Sequence, residues 1–367
     1  IAALVSPTSD AATAIIKVAL RRWFCDAIYK KSCAAGEENM MRLRVLLIAA
    51  MAFGIAPRLA FAQSNDFPNH PIKLVVGFAA GGSTDVAARI MAQKMGEVLG
   101  QTVLVENRPG ASGLLAAEDV IKSSPDGYTL MMASQTVLAV APKLTRKVTI
   151  NPVNDFAPIA YCGASPLVLA VNPSFPAHTT AEMIAMAKAE PGKIIFGTGG
   201  VGTTPHIASE MFQFEAGIKM SHVPYRGEAG AINDLVAGQI PAMFANLSAV
   251  GGQLAGKTVR ALAVTSPQRA PSAPDVPTIS ETLPGYAADT WFGIVAPRGT
   301  SRPVIDKLNA AARNALAQDD TKKRYADVGM TITGAGGHSP EELDAYIKSE
   351  IAKWSKVIDD AHIQPMD

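Results

Sequence analysis

The chain has 367 residues, 48% of them apolar and 18% charged, with a formal net charge of +1. That balance belongs to an ordinary globular protein; it excludes a disordered polyelectrolyte and gives no reason to expect a nucleic-acid partner.

The first informative stretch is "MMRLRVLLIAAMAFGIAPRLAFAQ" (40–63), with two arginines, an apolar run from Val45 to Ile55, and Ala60-Phe61-Ala62 before Gln63. This is the three-part layout of a cleaved secretory leader. The apolar run is shorter than the roughly 20 residues of a membrane span, which favours a leader over an N-terminal anchor. With a start at Met40 or Met41, residues 1–39 are upstream sequence and 40–62 the signal peptide. Residues 1–62 hold eight of the 33 basic and four of the 32 acidic groups, so the exported part carries 25 and 28, or −3. Cys25 and Cys33 leave with the leader. Cys162 then has no internal disulfide partner and reads as a small buried residue after the strand-like "APIAY".

From there the elements alternate. "IKLVVGF" (72–78) predicts a buried strand, 83–100 a helix with a glycine stop, and "TVLVEN" (102–107) a second strand, a unit usually housed in a parallel sheet. A helix over 111–124, a strand over 128–134 and a strand over 166–172 follow. Next come helix 179–190, strand 193–198, helix 204–216, strand 218–225, helix 228–238, strand 240–246 and strand 259–265. A Pro-rich loop leads to "TWFGIVAP" (290–297) and to helices at about 302–328 and 340–361. The late strand lacks a second sheet of its own and is expected to return to the first. Two α/β lobes result, 66–165 with 289–367 and 166–288, with a cleft between them that suits closure on a small molecule.

Turns after the strands of such sheets point toward the cleft. "VVGFAAGGSTDVAARI" (75–90) has neither the lysine of a phosphate loop nor the glycine spacing of a dinucleotide fingerprint. It offers Ser83 or Gly82 as a helix cap and the free amides of a first helical turn, donors that suit a carboxylate. Its plainer reading is a glycine-permitted turn in which Ser83 and Asp85 merely cap the helix. "SQT" (134–136), "GTGGVGTTPHIA" (197–208), "YRGEAG" (225–230) and "FANLSA" (244–249) are the other candidate turns. In the second of these, Thr203 or Thr204 caps a helix whose first turn accepts Pro205. Arg226 reads as an ion-pair partner or a solvated side chain, and His206 as structural or ligand-contacting.

A micromolar ligand needs about 8 kcal/mol, a charge-assisted hydrogen bond nets about 1.5–3 and a helix terminus adds up to about 2, so one loop is too weak and both lobes are needed. The six histidines show no metal spacing, and no nucleophile–base set appears.

Together the segments "FPNHPIKLVVGFAAGGSTDVAAR", "GQTVLVENRPGASG", "SPDGYTLMM", "EPGKIIFGTGGVGTTPHIASEMF", "HVPYRG", "VRALAVTS" and "LPGYAADTWFGIVAPRGT" resemble the substrate-binding proteins of tripartite tricarboxylate transporters, the Bug family. The resemblance spans nearly all of the chain beyond the leader. It implies a two-lobed α/β periplasmic binding protein of type II, each lobe a central sheet flanked by helices. Such a protein is a monomer without cofactor, metal or turnover that delivers a small carboxylate to membrane permease subunits, or signals to a sensor kinase. It also implies a ligand site. From the first lobe come Phe78, Ala79, Ala80, Gly81, Gly82, Ser83, Thr84 and Asp85, with Ser134, Gln135 and Thr136. From the second come Thr198, Gly199, Gly202, Thr203, Thr204 and His206, then Tyr225, Arg226 and Gly227, then Ala245 and Asn246. Two departures stand out: Ala79 where the family often has proline, and Ala245 where it often has aspartate. The second removes a carboxylate, which makes an amino-acid solute less expected than a plain dicarboxylate or aromatic acid.

Overall fold

The computed structural model describes residues 67–145, 150–332 and 339–364. The expected leader at 40–62 and the 39 residues before it lie outside the described residues. Strands β1 (Ile72–Val76), β2 (Val103–Asn107), β3 (Thr129–Ser134), β4 (Phe156–Val171), β5 (Ile195–Thr198), β6 (Ser221–Pro224), β7 (Ala242–Asn246), β8 (Arg260–Val264) and β9 (Asp289–Pro297) form a continuous path. Its order is β2-β1-β3-β9-β4-β7-β5-β6, with β8 also paired to β4. The sheet is mixed. β1 runs parallel to β2 and β3, and β5 parallel to β6 and β7, while β4 and β9 are antiparallel to their neighbours. As expected, the late strand joins the first sheet, Met131 opposite Val295.

β4 is the spine. Residues 156–166 pair with β9, and residues 167–171 pair with β7 and β8, so one strand of 16 residues serves both halves of the sheet. The sequence reading has a strand-like "APIAY" and a separate strand over 166–172. The two fuse because the intervening residues are absorbed as register shifts at Pro158/Ala160 and Tyr161/Gly163. Gly163 has φ +107°, and a Cβ there would stand 2.4 Å from the Thr331 carbonyl oxygen, so the bend requires glycine.

Among the described residues, the helices of eight residues or more are α1 (Ser83–Leu99), α2 (Leu114–Ile121), α3 (Thr180–Ala189), α4 (Thr204–Ala216), α5 (Glu228–Val236), α6 (Leu247–Ala255), α7 (Arg302–Ala317), α8 (Asp319–Asp327) and α9 (Pro340–Asp360). α1 stops at Gly100, which takes the left-handed conformation that glycine adopts without penalty. α6 is absent from the sequence reading, and the helix expected over 302–328 is split where Gln318 turns extended.

Helices cover both faces of each half-sheet. Leu74 and Val76 pack with α1 and α7 on one side of the first half, and Val75 and Met131 with α2 and α9 on the other. In the second half, Leu169, Phe196 and Phe244 meet α3 and α4, while Val168, Met243 and Ala245 meet α5 and α6. Fully burying a side chain of this size contributes about 1.5–3 kcal/mol, so these apolar layers hold the fold. Cys162 is a member of one layer; burial pushes its thiol up to about 12, which leaves it protonated and inert. The topology brings the carboxyl ends of β1, β3, β5 and β7 together beside the point where β4 changes partners.

Candidate functional site

The loops after these strand ends enclose two adjoining cavities. The outer one, about 580 Å3, is lined by the β1 turn at Gly77 and Phe78, by residues 109–113, by Gly199, Gly200 and Val201, and by Pro224, Tyr225 and Arg226. The inner one, about 30 Å3, lies at the start of α1 and shares Phe78 and Gly199 with the first. Its other walls are Gly82, Ser83, Thr84, Ser134, Thr136, Thr203, Pro205, Gly227, Glu228, Asn246 and Thr290.

Backbone geometry brings these walls close. Gly77 packs on the turn before α2 so tightly that a Cβ would lie 2.6 Å from the Gly113 Cα. That turn is not the helix expected from residue 111. Ala111 and Ser112 have φ of 45° and 53°, a left-handed stretch unusual for residues with a Cβ, and α2 begins only at Leu114. Ser112 thereby donates its hydroxyl proton to the Val201 carbonyl oxygen on the far wall. A second cross-link lies deeper, where the Thr204 N–H donates to Thr136 Oγ1 at 3.0 Å and the two hydroxyls meet at 3.1 Å.

The inner cavity is polar in a specific way. The hydroxyls of Ser134 and Thr290 and Oδ1 of Asn246 have no hydrogen-bond partner among the described residues, although these residues are only 1%, 2% and 3% exposed. An unpaired buried polar atom costs about 1–3 kcal/mol, and three of them line this one cavity. The Thr84 N–H, in the first turn of α1, also has no intrahelical acceptor. The Ser83 N–H, by contrast, is taken. It donates at 3.1 Å to Oε2 of Glu228, whose Oε1 accepts from the Asn246 N–H at 2.6 Å and from Asn246 Nδ2 at 2.9 Å. A carboxylate from the first residue of α5 thus bridges the start of α1 and the end of β7.

Residues 87–363 match the family described as "Tripartite tricarboxylate transporter family receptor". The chain belongs to this family. It is 34% identical over 322 residues to the protein BugT of Bordetella pertussis, covering 87% of this chain and 97% of that one. It superimposes on Rpa4515 of R. palustris, solved with adipate, with a TM-score of 0.79 and 34% identity over 82% of this chain and 100% of that one. MatC of Rhodopseudomonas palustris, with bound malate, gives 0.76 and 32% over 80% and 100%.

In this receptor the expected site residues separate into three groups. Phe78, Gly82, Ser83, Thr84, Ser134, Thr136, Gly199, Thr203, Gly227 and Asn246 line the inner cavity, and Phe78, Gly199, Tyr225 and Arg226 line the outer one. Arg226 is exposed and has no ion-pair partner among the described residues, while Tyr225 donates to Asp234 at 2.6 Å. The third group holds the loops in shape. Asp85 accepts from the Gly81 N–H, from Arg89 and from Asn107. Burial alone would raise its carboxyl, but these donors, Arg89 foremost, outweigh that and hold it below the usual range. On the same turn Ala80 and Gly81 are exposed and Ala79 is half-buried against Gly227; none of the three lines either cavity. Gln135 points away from the cleft and donates to Glu350 at 2.9 Å. Thr198 is fully buried against His222, with 2.7 Å between Oγ1 and Nε2.

Ala245 calls for a correction. It packs in the apolar layer with Val168, Ala231 and Leu235, so the side chain at 245 faces α5 and lines neither cavity. The residue type at 245 therefore does not act on the solute through either cavity. The carboxylate that matters is Glu228, which the sequence reading passes over, as it does Thr290 and Ser112. An acidic residue in a first helical turn is normally explained by the helix dipole, and only tertiary packing shows it over a second helix start.

His206 serves the loop. Its Nδ1 accepts from the Gly202 N–H at 3.2 Å, and its ring stacks on His222 with centroids 4.5 Å apart. Burial, then the neighbouring His222, pushes His206 down to about 3, and burial pushes His222 down to about 4. Glu210, 3.9 Å from the His206 Nε2, is itself pushed up by burial. Both imidazoles are therefore neutral at pH 7. Their folded pKa values lie below the unfolded value of about 6.5, so the unfolded chain takes up protons first, and stability falls as pH drops from about 6.5 toward 3–4. Between pH 7.5 and 5, His206 alone accounts for a loss of about 2 kcal/mol. His206→Asn, which keeps an acceptor for Gly202 without titrating, should remove that part of the loss in urea unfolding at the two pH values. An equal acid loss in the variant would show that His206 is not its source.

Proposed function

We propose that this receptor is exported by the leader at 40–62 and binds a small carboxylated organic acid in the periplasm. It then delivers the acid to the membrane permease of a tripartite tricarboxylate-type transporter. It works as a monomer, without cofactor or turnover, and closes two lobes on the solute, 66–165 with 289–367 and 166–288. The observation that carries this reading is the inner cavity. The Thr84 N–H and the unpaired hydroxyls of Ser134 and Thr290 converge there at the positive end of α1, a donor set that suits one carboxylate. The adipate and malate found in the two solved relatives support the same class of solute.

The test is thermal unfolding of the ligand-free protein against a panel of mono- and dicarboxylates that includes adipate and malate. A solute present at about 100 times its Kd stabilises the folded state by about 2.7 kcal/mol, which raises Tm by several degrees. A folded, ligand-free protein whose Tm ignores the whole panel at millimolar concentration would overturn the proposal.

A further inference from the structure

We infer that Glu228 selects solutes that carry a hydrogen-bond donor, an ammonium or a hydroxyl, on the carbon next to the bound carboxylate. The inference rests on the carboxylate-receptor reading above and narrows its solute class. A carboxylate offers about four acceptor positions. Glu228, 7% exposed in the cavity wall, fills three of them with the Ser83 N–H, the Asn246 N–H and Asn246 Nδ2. The fourth remains, and beside it Asn246 contributes an Oδ1 with no partner among the described residues.

The inner cavity therefore holds donors and acceptors together. Ser134, Thr290 and the Thr84 N–H suit the oxygens of a solute carboxylate, whereas Glu228 and Asn246 Oδ1 leave acceptors that such a group cannot satisfy. A plain carboxylate would stand against a second carboxylate in a space of about 30 Å3. An α-ammonium turns that repulsion into a charge-assisted hydrogen bond, and an α-hydroxyl gives a neutral version of it. Glu228 does not simply yield its place, because leaving would strip acceptors from two buried main-chain N–H groups. The remainder of the solute extends past Phe78 and Gly199 into the outer cavity.

Succinate, malate and aspartate share one carbon skeleton and differ only in the α-substituent; propionate, lactate and alanine do the same for one carboxylate. Calorimetric titration of the full exported chain should rank ammonium above hydroxyl above hydrogen in at least one series, with about 10- to 100-fold between the ends. Glu228→Gln keeps the shape and removes the charge; it should shrink that ratio about tenfold or more, whatever it does to overall affinity. A merely structural role would lower every affinity together and leave the ratio intact. If acids bind the native protein without regard to the α-substituent, or the ratio survives in Glu228→Gln, this inference falls while the receptor reading stands. If no acid binds the native protein at all, the receptor reading falls and takes this one with it.

Discussion

Replacing Glu350 by alanine is expected to destabilise the protein by about 4 kcal/mol, a large fraction of the stability of an ordinary domain. Glu350 lies in α9, and its Oε2 accepts from Gln135 Nε2 at 2.9 Å and from the indole N–H groups of Trp291 and Trp354 at 3.0 Å each. All three donors are buried and converge on one oxygen. Truncation strands them together, at about 1–3 kcal/mol apiece before relaxation. The Lys353 amine, 3.8 Å away and half exposed, adds little. Glu350→Gln retains an acceptor and should recover most of the loss in urea unfolding. Solute binding should follow the same order, because Gln135 anchors the turn that carries Ser134 and Thr136. A loss under about 1 kcal/mol in Glu350→Ala would show that the three donors find other partners.

Where apolar pattern and turn chemistry coincide, the fold was legible. α4 begins and ends at the residues its threonine, proline and glycine signals name, and β1, β3 and β9 lie within a residue or two of their apolar runs. Reading stopped where one residue class serves two structural purposes. The Gly251-Gly252 pair hid α6, which packing on Val168 and Met243 stabilises despite its low intrinsic propensity. The small residues Cys162 to Ser165, between the strand-like "APIAY" and the strand expected over 166–172, proved to be a bend within β4. The site divided in the same way. Loop glycines and caps advertise their location, but the facing of a side chain depends on strand register and on what a distant helix places opposite. Ala245 and Asn246 are neighbours on β7; the period-two alternation sends the first into the core and leaves the second at the cavity. Thr290 stands at the start of an apolar strand, and only the pairing of β9 with β3, Ser134 opposite Phe292, brings it to the cavity beside Ser134.

That placement leads to the second large effect, in which stability and function should move in opposite directions. Ser134→Ala and Thr290→Val delete hydroxyls that are buried and have no partner among the described residues. Removing such a group relieves a desolvation cost, so each ligand-free variant should match or exceed the native stability, by up to about 1 kcal/mol. Binding should weaken, because each hydroxyl supplies a donor to a charged acceptor, an interaction of about 1.5–3 kcal/mol. The expected loss is roughly tenfold or more for each single variant and about a hundredfold for the pair, less if the two hydroxyls share one oxygen. Unfolding in urea without solute, followed by titration with whichever acid raises Tm most, reads both quantities from the same samples. Lower stability with unchanged affinity would place these hydroxyls in the scaffold. A stable protein that no longer holds its acid would mean that the cavity beside α1 keeps its polar groups unpaired for the solute.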